Sequence, residues 1–167
     1  MDAIVSFASA SGIYDLMHTK WGWPIVESLH FIGLCFLIGA VGVFDLRMLG
    51  LGKGIPYKVL HQLIPFGVAG FILNLVTGLM FFLSAPDQYA YNPAFQTKMM
   101  CIALAGINML CFNTSTLQFL YKTDSLAKVP NRAVFFAMIS LLCWTGVIVG
   151  GRLITYFRPP YHWCFWC

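Results

Sequence analysis

Between Pro24 and Phe44 every residue is apolar except Glu27, Ser28 and His30. A helix needs about 20 such residues to cross the hydrocarbon core of a bilayer. Inside lipid the backbone must satisfy its own hydrogen bonds, so this stretch is predicted to be helical. Three further runs of the same character follow, which places the spans at about 24–44, 62–84, 98–120 and 133–157. Pro24 suits the first turn of the first span, and Trp21 and Trp23 mark the water–lipid boundary ahead of it. The expected fold is all-α, an integral membrane four-helix bundle with one domain over residues 1–167.

Composition supports the same conclusion. Of 167 residues, 59% are hydrophobic and 10% charged, with a mean hydropathy of +0.77. A soluble domain carries roughly 25% charged residues, so the apolar excess here is surface meant for the lipid bilayer. Residues 1–20 hold Ile4, Val5, Phe7, Ala8, Ile13, Leu16 and Met17 in an amphipathic segment too short to span, expected as a short interfacial helix. No basic start precedes an apolar core there, so no cleavable signal is expected. The net charge of +4 sits in connections between spans and does not point to nucleic acid. Arg47, Lys53, Lys58, Lys122, Lys128 and Arg132 fall in the first and third connections, against Lys20, Lys98, Arg152 and Arg158 on the other side. Basic residues accumulate on the cytoplasmic face. The expected placement is therefore a bacterial inner membrane, multi-pass, with both termini periplasmic.

Each span carries small or polar residues at helical spacing. They are Glu27, His30 and Gly33 in the first, and Gly67, Gly70, Asn74, Thr77 and Gly78 in the second. The third has Lys98, Cys101, Ala105, Asn108 and Ser115, and the fourth Thr145, Val149, Arg152 and Tyr156. Most of this is packing, because membrane helices approach one another through small residues. Asn74 and Asn108 come out level with each other and are expected to hydrogen-bond across helices. Ionisable residues are a different matter, since a charge inside a span is costly and marks a functional site by default. Glu27 and His30 are three residues apart and share a helix face. Counted at ~1.5 Å per residue, they lie with Lys98 and Arg152 in the same half of the bundle. A purely structural reading pairs Glu27 with Arg152 and bonds His30 to an Asn or Ser.

Three function classes fit these residues. The first is a redox component carrying b-type haem or interacting with quinol. For haem, His30 supplies the imidazole, Gly33 the space beside it, and Lys98 and Arg152 cations for the propionates. For a quinol, His30 and Glu27 take the protons while Asn74, Asn108 and Arg152 hold the oxygens. His30 and His61 are ~20 Å or more apart along the bundle, so they do not clamp one iron. The second class is a non-catalytic accessory subunit packed against other membrane subunits or copies of itself. The third is a metal or small-solute conduit through Glu27-x-x-His30, with Met99, Met100 and Cys101 at its mouth. A di-iron site needs more inward carboxylates, and the predicted spans contain none. Cys35, Cys101, Cys111 and Cys143 fall inside spans as small apolar side chains. Cys164 and Cys167 form a C-x-x-C that, with His162, is a candidate disulfide or soft-metal clip.

The runs WPIVESLHFIGLCFLIGAVGVFDLRMLGLG, LHQLIPFGVAGFILNLVTGLMFF and NPAFQTKM, with Gly151–Arg152, resemble a family of small bacterial inner-membrane proteins without established function. The resemblance covers all but the first twenty residues and the C-terminal YHWCFWC, and it implies a four-helix integral membrane protein. More distantly, four spans with a histidine near the outer side look like the cytochrome b561 and copper-resistance membrane groups. The paired intramembrane histidines of those cytochromes are missing here. The expected function is a membrane-embedded redox component using haem b or quinone, as a subunit of a larger complex.

Overall fold

The computed structural model describes residues 2–117 and 129–157. Two short helices, α1 (Asp2–Ala10) and α2 (Ile13–His18), precede α3 (Gly22–Met48). The short α4 (Tyr57–His61) and α6 (Pro86–Ala90) flank α5 (Ile64–Ser84). Then come α7 (Pro93–Phe112), which runs on into one π-helical turn at Asn113–Leu117, and α8 (Asn131–Leu153), which ends in a 3-10 turn at Ile154–Tyr156. Among the described residues there is no strand, and four helical stretches are long and apolar enough to cross a membrane. The chain is a multi-pass membrane protein, a helical bundle whose outer surface is lined with exposed Phe, Leu, Ile and Val.

The bundle is two antiparallel hairpins, α3 with α5 and α7 with α8, joined through α3 against α8. Lipid provides no hydrophobic force to press helices together, so small residues set how close they come. A Cβ on Gly70 would stand 2.5 Å from the Gly33 carbonyl oxygen and 2.7 Å from the Leu37 nitrogen. Gly67 is similarly covered by Ala40. In the second hairpin a Cβ on Gly146 would meet Cys101 Sγ at 2.7 Å, and one on Gly150 would meet the Lys98 Cβ at 3.1 Å. The glycines at helical spacing are therefore helix–helix contacts, in the first hairpin with backbone against backbone.

The helix ends explain where the expected boundaries move. Asn92, 0% exposed, caps α7, its Oδ1 accepting from the Ala94 N–H at 3.0 Å and the Phe95 N–H at 3.3 Å. Its Nδ2 donates to the carbonyls of Ile154 and Phe157, both at 3.0 Å, and so ties the start of α7 to the end of α8. With Pro93 in the first turn, the helix begins there rather than at residue 98. The N-terminal segment is two helices instead of one. Gly12, with φ 72°, ends α1 in the left-handed conformation that suits glycine. Both helices pack against α5, burying Ala8 and Met17.

The first span also extends past its expected end at Phe44. Helix α3 continues to Met48, and Asp45 and Arg47 are 4% and 3% exposed. Arg47 Nε donates to the Ile55 carbonyl at 2.9 Å and Nη2 to the Lys53 carbonyl at 3.0 Å. The guanidinium also lies 4.6 Å from the centre of the Tyr57 ring, pinning the glycine-rich turn between α3 and α4. Buried Met48, Tyr57, Leu60, Ala133 and Ala137 form the core at this end.

The glycine contacts make opposite demands at two positions. Gly70→Ala is expected to lower bundle stability by about 1–3 kcal/mol, the usual cost of overpacking. Gly106→Ala, with nothing within 4 Å of the added carbon, should be neutral or stabilise by up to ~1 kcal/mol through helix propensity. Reversible unfolding in mixed micelles compares the two directly.

Candidate functional site

His30 sits two turns into α3 and is half-buried against α5. Its Nδ1 lies 2.7 Å from Thr77 Oγ1, and Thr77 Oγ1 in turn lies 2.7 Å from the Leu73 carbonyl oxygen. A hydroxyl has one proton. When that proton goes to the carbonyl one turn back, as helical threonines prefer, Thr77 accepts from His30 and the imidazole carries its proton on Nδ1. That network assigns the tautomer and leaves Nε2 with a free lone pair. Phe81 meets the ring edge-on at 5.8 Å, and Trp23 packs on Phe81 at 4.9 Å, so an aromatic wall closes the tryptophan end of the site.

Lys98 belongs to the other hairpin. It is half-buried on α7, its stem lying along Gly150 and Gly151 of α8, with Nζ 3.6 Å from the position a Cβ on Gly151 would take. Larger residues at these two glycines would push the lysine away. Its charge is near enough to His30 to act on the imidazole. Among the described residues the ammonium has no hydrogen-bond or ion-pair partner. One fixed imidazole and one uncommitted cation thus come from different hairpins to the same end of the bundle. Such a pair suits a ligand that offers a proton at one atom and an acceptor oxygen at another.

The other candidates are placed differently. Glu27 is exposed and has no partner among the described residues, and Arg152 is exposed with its guanidinium 5.7 Å from the Tyr156 ring centre. The two do not pair. Although Glu27 and His30 are three residues apart, the imidazole turns to α5 and the carboxylate stays outside. Asn74 Nδ2 donates to Gly70 in its own helix at 2.9 Å, whereas Asn108 Nδ2 donates to the Phe136 carbonyl of α8 at 3.0 Å. The expected Asn74–Asn108 hydrogen bond is not formed, since each amide is taken up within its own hairpin. The space beside Gly33 is filled: a Cβ there would lie 2.6 Å from Asn74 Nδ2 and 3.0 Å from the Gly70 oxygen. Met99 and Met100 are exposed, and Cys101 lies over Gly146. His162, Cys164 and Cys167 lie outside the described residues. Among the described residues no three His, Cys, Asp or Glu side chains cluster as metal ligands.

Thr77 is the residue whose part the sequence concealed, because in the stripe Gly67, Gly70, Asn74, Thr77 it reads as one more small packing residue. Its spacing of seven from Gly70 puts it on the face that meets α3, and that was the available signal. Asp45 was hidden by its position next to a basic connection.

The chain belongs to the Family of unknown function (DUF6644), whose profile matches residues 9–157. No curated protein and no solved structure matches it, so the distant likeness to cytochrome b561 and copper-resistance proteins has no support from these comparisons.

The tautomer assignment has a direct test. Thr77→Val is expected to free Nδ1, lower stability by about 1–2 kcal/mol and change the tautomer ratio read from the ¹⁵N shifts of His30. Thr77→Ser should restore both.

Proposed function

We propose that this family member is a quinone-interacting redox component of a bacterial inner membrane, acting within a larger assembly with both termini periplasmic. The observation that carries the reading is His30, held by Thr77, with Lys98, which has no partner among the described residues, at the same end of the bundle. A bound quinol would pass its two electrons to a redox centre of the larger assembly and its two protons, one after the other, through His30. His30 Nε2 accepts a hydroxyl proton, and the Thr77 oxygen stabilises the imidazolium by accepting from Nδ1–H throughout. Lys98 Nζ donates to an oxygen at the other end of the ring. Glu27, at the exposed face one turn toward the tryptophans, receives protons on their way to water. The orientation rests on the basic residues, more of which fall in the first and third connections.

A b-type haem fits these residues less well. Its flat ring needs an open bay beside the ligating histidine, and Gly33 is closed by Asn74 and Gly70. No second imidazole meets His30 among the described residues, since His18 bonds the Tyr14 carbonyl and His61 is exposed at the end of α4, at the other end of the bundle. Haem b is therefore set aside in favour of quinone. The accessory-subunit reading has one observation of its own: an exposed Glu27 within a span is better explained by a protein neighbour than by lipid.

Binding of a short-chain ubiquinone or menaquinone analogue, followed by quenching of Trp23 fluorescence, tests the proposal. Lys98→Met is expected to weaken binding about ten- to a hundredfold, the loss of one charge-assisted hydrogen bond, and His30→Phe should do likewise. Glu27→Gln should leave affinity unchanged and slow turnover only. Wild-type affinity in both Lys98→Met and His30→Phe would reject the site.

A further inference from the structure

Asp45 has no part in the quinone site. It lies on α3 three residues before Met48, ~5 Å from the helix end, and is 4% exposed. Its carboxyl lies beside the buried Ser140 of α8. Among the described residues its Oδ2 is buried with no hydrogen-bond partner. An ionised carboxylate with one bare oxygen in an apolar interior is a costly arrangement unless a cation or a proton completes it.

Among the described residues the neighbouring charges do not complete it. Arg47, two residues on, points to the opposite side of α3 and gives its nitrogens to Lys53, Ile55 and Tyr57. The Tyr57 hydroxyl of α4 accepts from that guanidinium. Arg132 is exposed, two turns from Ser140 toward the start of α8, and Asn108 of α7 is committed to the Phe136 carbonyl. Met48, Ala133 and Ala137 belong to the apolar core at this end of α3. A metal ion would need several oxygen ligands, and among the described residues no three His, Cys, Asp or Glu side chains cluster as metal ligands. A proton needs only Oδ2.

We infer that Asp45 and Ser140 form a proton-exchange site in the half of the bundle opposite the tryptophans. In the exchange, one proton from water at the near face forms an O–H bond at Oδ2, and its release restores the carboxylate. Ser140 stays beside the carboxyl through both states. This site is independent of the quinone reading, because it stands on the other end of α3 and uses none of the same side chains.

The test is infrared difference spectroscopy of the full-length protein in lipid, acid minus base, with and without aspartate carrying ¹³C in its carboxyl. The expected result is an aspartate carboxylic-acid C=O band that moves with the label, shifts in D₂O and stands at a frequency of its own. Ser140→Ala should shift that band while leaving its amplitude, which ties it to Asp45 without removing the acid. A single aspartate transition at the frequency of solvated side chains would overturn the inference. So would a separate band that fails to exchange in D₂O or ignores Ser140→Ala.

Discussion

The contact on which the rest of this structure depends is Gly33 against Gly70. With no side chain on either residue, the backbones of α3 and α5 come within direct contact, and dispersion between them replaces the hydrophobic force that lipid does not supply. Fixing that point fixes the register of the hairpin. Thr77 lies two turns along α5 from Gly70, and His30 one turn back along α3 from Gly33, so the antiparallel helices bring imidazole and hydroxyl together at 2.7 Å. A one-turn slip would put His30 opposite Leu73 or Met80 and leave its Nδ1 proton unbonded.

Helix α3 is the element both hairpins share. At one end it gives His30 to α5, and at the other it gives Asp45 to α8 and Arg47 to the turn before α4. The polar groups along it are treated unequally. Arg47 is bonded through three nitrogens and stacks on Tyr57, as a structural cation should be. Among the described residues Lys98 and one oxygen of Asp45 are left open. Burial without compensation destabilises a membrane protein, so groups kept in that state are the ones with chemistry to perform. That contrast between satisfied and unsatisfied charge separates scaffold from site more sharply than charge alone.

Four spans, their approximate limits and the packing role of Gly67 and Gly70 could be read from the sequence, because length, apolarity and spacing act locally. The level of His30 and Lys98 in the bundle was legible for the same reason, being a count along each helix. Rotation was not. Glu27 and His30 share a face by spacing, yet a modest turn of α3 buries one and exposes the other, and only packing against α5 decides which. The Asn74–Asn108 pairing failed on the same ground: two amides at equal depth meet only when their helices are neighbours, and α5 and α7 belong to different hairpins. Asp45 was assigned to a connection because a charge usually ends a span. The core at Met48, Tyr57 and Ala137 keeps the helix going instead.

The central claim, that His30 and Lys98 face one ligand from two hairpins, is tested most directly by photolabelling with an azidoquinone in native membranes and mapping the adducts by mass spectrometry. The expected result is labelling confined to α3 near His30 and α7 near Lys98, suppressed by excess unlabelled quinone. Adducts scattered over the exposed Phe, Leu and Ile of the lipid face, or insensitive to competitor, would contradict it.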